Sequence, residues 1–319
     1  MKILITGITG LFGSYLAREF LSIGEIHGMK RKNSSTELLE DIVTQITWHD
    51  GDVGDYQSLE SAIEGMDVVI HAAGMVSFLS ADEEKLLQVN VEGTANVVNV
   101  MLETGVNKLF HISSVAALGR NGDDQVIDEN HKWAASPLNT AYSISKYLGE
   151  LEVWRGAQEG LDVLVVNPSV LLGKLSDKRS SSALYRYVIE GNRFYPKGRL
   201  NYIDIRDAAS ISLQLFKEGK WNERYILNKE SIGYKEFFHH TASKAGVKPP
   251  QYAVSDRYLG LASVYFKIKG LFVRVPFNKE AAKTSQYKIT FDNAKTNLQL
   301  QPSYRTLDET LSWALGNEN

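Results

Sequence analysis

Tyr142 and Lys146 stand four residues apart in the stretch AYSISKYLGE, residues 141–150. On a helix that spacing sets both side chains on one face. A tyrosine titrates near 10, well above the range of a base at neutral pH. An ammonium held beside it favours the phenolate, each pH unit of lowering corresponding to about 1.4 kcal/mol. A few such units bring the phenol into the range of general acid–base catalysis. Two other pairs share the spacing, Tyr225/Lys229 and Tyr265/Lys269, so spacing alone decides nothing. Tyr225 lies in the strand-like run RYILNKES, where residues four apart lack the helical geometry. Tyr265 falls in a late amphipathic helix and reads as core or lid.

The elements around the first pair must do the positioning. Through the first half, short β-branched runs alternate with helical patterns. KILIT (2–6) precedes an amphipathic run from Leu11 to Ser22, and EIHGMK (25–30) follows. ITWHDGD (46–52) precedes a helix near Tyr56 to Ile63. MDVVIHAAG (66–74) precedes a long helix from about Asp82 to Thr104. NKLFHISS (107–114) leads to the helix of Tyr142, and LDVLVVNPS (161–169) follows that helix. Nearly apolar strands separated by helices predict a parallel sheet covered on both faces, the doubly wound α/β architecture. Ligands of such sheets sit beyond the carboxyl ends of the strands.

Past Pro168 the rhythm breaks. GKLSDKRSSSA (173–183) reads as a mobile loop, and LNYIDIRDAASISLQLF (200–216) as a strand followed by a helix. From about Ile232 helices rich in Phe, Tyr and Leu predominate. The expected division is a dinucleotide-binding domain at 1–166, with 202–230 returning to it. A smaller, mostly helical substrate domain takes 167–319.

Between the first strand and first helix, LITGITGLFGSYL places Thr6, Gly7, Gly10 and Gly13. Glycines allow a tight turn and close approach of backbone to a pyrophosphate, and the helix N-terminus offers free N–H groups to the anion. Nucleotide binding is the expectation.

Composition excludes other classes. The 319-residue chain is 43% hydrophobic and 23% charged, with a formal charge of −3 and no cysteine. Disulfides, thiolate chemistry and cysteine-held zinc are therefore out of reach. The seven histidines are scattered, and His239-His240 are sequential rather than spaced as ligands on one helix face, so no metal is expected. Basic patches interleaved with aromatics are lacking, which argues against nucleic acid. The apolar run 259–275 is interrupted by Lys267 and Lys269 and is too short to span a bilayer. MKILITG enters a strand at once, with no room for a targeting peptide, so a cytoplasmic protein is expected.

Taken in order, these motifs resemble the short-chain dehydrogenase/reductase superfamily, in its extended branch with a Rossmann sheet. The resemblance runs through nearly the whole chain: the glycine turn, GDVGD (51–55), VIHAAG (69–74), VNVEGTANVV (89–98), HISSVAALG (111–119), YSISK and VVNPSVLLG (165–173). It implies cofactor contacts from Thr6, Gly7, Gly10, Leu11, Phe12 and Gly13 of the turn, and from Asp52 and Val53 near the adenine. Ala72, Ala73 and Gly74, together with Pro168 and Val170, are implied to line the cofactor as well. Lys146 is implied to bond the nicotinamide ribose, and Ser114 to hold a substrate oxygen beside Tyr142. The catalytic residues so implied are Ser114, Tyr142 and Lys146. Helices at about 82–104 and 141–158 are implied to form a homodimer contact.

The second strand ends in GMKRKNSS, with Lys30, Arg31 and Lys32 and no acid between Glu25 and Glu37. Binders of NAD usually carry an acid there for the ribose hydroxyls. Arg31 falls at the position that stacks on adenine or grips a 2′-phosphate, so NADP is favoured over NAD. Within the branch, dehydratases follow the strand-end residue with acids, whereas Val115 and Ala116 stand here. Sugar-nucleotide epimerases carry a diphosphate-pairing arginine where this chain places Leu200, beside Arg199. NPSVLLG and SSVAALG resemble instead the dihydroflavonol-reductase and 3β-hydroxysteroid-dehydrogenase side. The reading is an NAD(P)-dependent oxidoreductase acting on a ketone, aldehyde or secondary alcohol of apolar character, with Tyr258, Tyr265, Phe266 and Phe272 suiting an apolar pocket and equally a plain core. An NDP-sugar epimerase is the alternative enzyme. A non-catalytic nucleotide-sensing regulator is the alternative of another class, disfavoured because it has no need of Ser114, Tyr142 and Lys146 together.

Overall fold

In the run KILIT every residue after Lys2 is buried. Ile3 and Ile5 join the apolar cluster on one side of the sheet and Leu4 joins the cluster on the other. This is strand alternation with a core on both faces. The computed structural model describes residues 1–177, 181–254 and 284–316. Its main sheet has seven strands: β1 (Lys2–Thr6), β2 (Glu25–Lys30), β3 (Ile46–Asp50), β4 (Val68–His71), β5 (Lys108–Ile112), β6 (Asp162–Pro168) and β7 (Glu223–Leu227). Their order is β3-β2-β1-β4-β5-β6-β7, and every neighbouring pair is parallel. The expected doubly wound sheet is present, with its order reversing between β1 and β4, where such sheets open a crevice.

Helices α1 (Leu11–Phe20), α2 (Tyr56–Ile63), α3 (Glu83–Leu87), α4 (Gly93–Thr104), α5 (Ala141–Gln158), α6 (Ser182–Ile189), α7 (Ile205–Glu218) and α8 (Tyr234–Ala245) follow in chain order. Phe12, Leu16 and Phe20 recur every four residues on α1 and meet Ile211 and Leu215 of α7 in one core layer. Leu59 of α2, Val97 and Met101 of α4, and Val153 of α5 fill the opposite layer. Helix α5 starts at Thr140, whose hydroxyl accepts the Ser143 N–H at 3.1 Å, satisfying one of the donors that a helix start leaves open.

Two details depart from the expectation. The stretch from Asp82 to Thr104 is not one regular helix, because a π turn at Gln88–Glu92 joins α3 to α4. Such turns interrupt the regular backbone bonding and often mark functional positions. Against it lies Gly149 of α5, where an added Cβ would come 2.1 Å from the Asn90 carbonyl oxygen. Only glycine admits that helix approach. The second departure concerns the segment after Pro168. Strands Val170–Leu172, Arg199–Asp204 and Glu230–Gly233 form a separate three-stranded sheet. Of the segment expected to return, Tyr202–Asp204 belongs to this small sheet, while Glu223–Leu227 supplies the edge of the main one.

The run 259–275, with Tyr265, Phe266 and Phe272, lies outside the described residues, as do Tyr258 and residues 178–180 of the expected loop. Among the described residues, no helix is long and apolar enough to cross a membrane.

Candidate active site

The glycine turn is built as a cradle. Thr6 ends β1, and Gly7 takes φ +70°, a left-handed conformation that side chains disfavour. A Cβ there would lie 2.5 Å from Ala73 N and Cα, so the turn presses directly on the chain leaving β4. Gly10 donates to the Gly7 carbonyl at 2.9 Å and caps α1 without a side chain. No acidic residue occupies the first turn of α1, which carries Leu11, Phe12 and Gly13. The N-terminal dipole of α1 thus faces the crevice uncapped, which fits a dinucleotide pyrophosphate.

Arg31, just past β2, and Asp52, just past β3, lie side by side. Arg31 Nε is 3.9 Å from Asp52 Oδ2, and the two side chains are 74% and 48% exposed. Asp52 Oδ1 accepts the Gly54 N–H at 2.9 Å, and the buried Val53 accepts from Asn96 Nδ2 through its carbonyl at 3.0 Å. Lys30 is engaged elsewhere, 3.4 Å from Asp50 and over the Trp48 ring. Of the expected basic cluster, Arg31 and Lys32 are exposed, and Arg31 is the one beside Asp52.

Ser114 sits two residues beyond β5 in extended backbone, where its Oγ accepts the Ala116 N–H at 3.1 Å. That acceptance leaves its own proton to donate, and the Ser114 side chain acts on the Tyr142 phenol. Burial raises the Tyr142 phenol above its usual 10, and the Ser114 side chain pulls it partly back. The lowering expected from Lys146 is not what this structure shows. Lys146 is buried, and its Nζ donates to the Ile112 carbonyl at 3.0 Å. Burial pushes its own pKa from 10.5 to about 8, with the Glu150 carboxylate opposing the change. A Cβ at Gly74 would be 4.0 Å from Lys146 Nζ, so the chain leaving β4 runs past this group. Ser114 thus stands just past the end of β5, with Tyr142 and Lys146 one turn apart on α5.

Several neighbours escaped the sequence reading. Asn90, in the π turn, accepts the Met75 N–H at 2.7 Å and donates through Nδ2 to Met75 O and to Ser145 Oγ, each at 2.9 Å. Ser145 donates in turn to the Tyr142 carbonyl at 2.8 Å. Glu150, one turn past Lys146, is buried and accepts from Ser113 at 2.5 Å, Asn167 at 2.8 Å and Trp154 at 3.1 Å. Arg224 of β7 pairs with it at 2.5 Å. The buried His71 bridges Thr6 and Thr94 at 2.7 and 3.0 Å. Because Thr94 donates to Asn90 O, its oxygen accepts from His71 Nε2–H, and Nδ1 accepts from Thr6. Neutral His71 is therefore the bonded form, and burial pushes its pKa down to about 3. The contacts of Asn90 with Met75 and Ser145, of Glu150 with Ser113, Asn167 and Arg224, and of His71 with Thr6 and Thr94 join residues far apart in the chain and leave no local trace.

Beside Val115, the residue after Ser114, lies a cavity of about 90 Å³, lined among others by Val115, Arg120, Val170, Arg199, Asn201 and Tyr234. Pro168 is buried at the end of β6, and Val170 is exposed toward this cavity. Leu200 is 2% exposed and packs in the core, whereas Arg199 is exposed at the cavity edge and donates to Thr290 Oγ1 at 3.0 Å. The rival tyrosine, Tyr225, is 2% exposed within β7 with the Lys295 ammonium 4.5 Å from its ring centre. Tyr265 lies outside the described residues.

Comparison with known proteins gives the family and the fold. The profile of the NAD dependent epimerase/dehydratase family matches residues 3–227. The "Putative dihydroflavonol 4-reductase" of Synechocystis sp. is 32% identical, the match spanning 98% of this chain and 92% of that protein. Cinnamoyl-CoA reductase 1 of Petunia hybrida is 29% identical over 70% of this chain and 71% of its own. The crystal structure of gox2253 superposes with a TM-score of 0.83 at 28% identity, covering 98% of this chain and 96% of that one.

Proposed function

The chain belongs to the NAD-dependent epimerase/dehydratase family, and from that premise we propose that it is an NADP-preferring reductase of a ketone or aldehyde, able to run in reverse on a secondary alcohol. The observation that carries the reading is the Ser114 side chain acting on the buried Tyr142 phenol, with buried Lys146 one helical turn further on. A nicotinamide cofactor, when bound, supplies the hydride. Residues 1–166 hold it, with the glycine turn and the α1 N-terminus receiving the pyrophosphate and Lys146 the ribose hydroxyls. Ser114 donates a hydrogen bond to the substrate oxygen and Tyr142 transfers its phenolic proton there. A phenol raised by burial stays protonated at neutral pH, which is the state that carbonyl reduction requires. Segment 167–319 furnishes most of the substrate cavity, and Val115 and Arg120 complete it.

The names of the similar proteins, a dihydroflavonol 4-reductase and a cinnamoyl-CoA reductase, support reduction. Exposed Arg31 supports NADP, since its 3.9 Å separation from Asp52 leaves the guanidinium available for bidentate bonding to a 2′-phosphate. Leu200, buried where sugar-nucleotide epimerases carry an arginine, speaks against epimerisation. The second reading, epimerisation of a nucleotide sugar, rests on Arg199 at the cavity edge. A turnover screen with NADPH over ketones and aldehydes, with UDP-glucose/UDP-galactose interconversion followed in parallel, separates the two. Reduction predicts NADPH consumed in step with carbonyl loss. Efficient interconversion without net cofactor consumption would replace the reductase reading with the second.

A further inference from the structure

The cavity beside Val115 holds a positive charge that nothing among the described residues of its wall neutralises. Arg120 is half-buried in its wall, and its backbone N–H is fixed by Asn139 Oδ1 at 3.0 Å. Among the described residues, no carboxylate pairs with its guanidinium, and Tyr234 is the one titratable group that faces it. Tyr234 cannot serve as counter-ion, because burial pushes its phenol up to about 12 and keeps it neutral. Arg199, at the edge of the same cavity, is likewise bonded to a neutral partner, the Thr290 hydroxyl. A cation removed from water without an anion is costly, and an arriving anion relieves that cost. The guanidinium is also suited to planar, bidentate recognition of carboxylate or phosphate. The rest of the wall is different in kind: Val115, Val170, Ile289 and Phe291 are apolar.

We propose that the substrate carries an anionic head, a carboxylate or phosphate, which Arg120 receives with Arg199 as second donor, while its apolar body lies along Val115, Val170 and Phe291 toward Ser114. This rests on the reading of the cavity as the substrate site. It changes the expected substrate from simply apolar to amphiphilic. Arg120 then acts on specificity by setting where the anionic end sits, and so which carbonyl along the body reaches Tyr142.

The test is equilibrium binding rather than turnover. Protein saturated with NADPH, so that the glycine turn is filled, is titrated calorimetrically with benzoate, phenyl phosphate and benzyl alcohol. These probes share an aromatic body, and none has a ketone or aldehyde to reduce. Wild type is expected to bind at least one anion about tenfold or more tightly than benzyl alcohol, the tighter anion identifying the head group. Arg120→Met should abolish that preference, and Arg120→Lys should keep part of it, which guards against a folding artefact. Equal affinities for all three probes, no binding of either anion, or an unchanged preference in Arg120→Met would overturn the proposal. Repeating the titrations on Tyr142→Phe separates the two readings, since failure of the catalytic assignment leaves anion binding intact.

Discussion

Lys146 Nζ donates to the carbonyl of Ile112 at 3.0 Å, tying the middle of α5 to the last residue of β5. The bond holds an ammonium in a buried place, where the pKa falls from 10.5 to about 8. Below pH 8 the folded and unfolded chains both carry this proton, and the folded one bears the full cost. Between 8 and 10.5 the unfolded chain binds more protons, so stability rises with pH. The displacement corresponds to roughly 3 kcal/mol, less the lost bond to Ile112. Lys146→Met should therefore be more stable than wild type by about 1–2 kcal/mol at pH 7, with the gain gone near pH 10, and should lose turnover. Urea unfolding at the two pH values measures this; an equal loss of stability at both would show that burial does not strain the lysine.

The buried histidines make the converse prediction at acid pH. His71 is pushed down to about 3 and His111 well below 6.5, in both cases by burial first and the Lys146 charge second. Each stays neutral in the fold while the unfolded chain takes up a proton below 6.5, so stability is lost as pH falls. From pH 7 to 5 the loss should be about 2 kcal/mol per histidine. His111 has no hydrogen-bond partner at either ring nitrogen, so His111→Leu should remove its share without breaking a bond. Denaturant titrations at pH 7 and 5 should show the variant losing about 2 kcal/mol less than wild type. Identical losses would mean that His111 is protonated within the fold.

Arg31 should decide the cofactor. Replacing it by alanine removes the 2′-phosphate partner, and by aspartate adds repulsion beside Asp52. NADPH should bind at least about tenfold more weakly to either variant, a loss on the scale of one charge-assisted contact, while NADH changes little. Fluorescence titration with both cofactors reads the result. An unchanged ratio would make Arg31 a solvated loop residue.

How much of this was legible in the sequence follows from the range of the interactions. The sheet was readable because apolar runs such as KILIT and LDVLVV separate helical patterns, a local signal. The meeting of Ser114 with Tyr142 was readable only through resemblance, which supplies their relative placement. The anchoring of Glu150 by Arg224 joins residues on α5 and β7, and the Arg120–Tyr234 pair joins a loop to α8; no local pattern marks either. The raised Tyr142 was missed for another reason. The sequence shows that a lysine is near, but not that burial outweighs it or that the ammonium is bonded to Ile112.

The most direct measurement is single-turnover hydride transfer in three proteins: wild type, Tyr142→Phe and Tyr225→Phe, each checked by thermal melting. Tyr142→Phe keeps the ring and removes the proton donor, so NADPH binding should persist while transfer slows by roughly 10²–10⁴-fold. Tyr225, buried in β7 away from the cavity lining, should be replaceable at near wild-type rate. Wild-type transfer in Tyr142→Phe, with or without a loss in Tyr225→Phe, would contradict the assignment of Tyr142 as the proton donor.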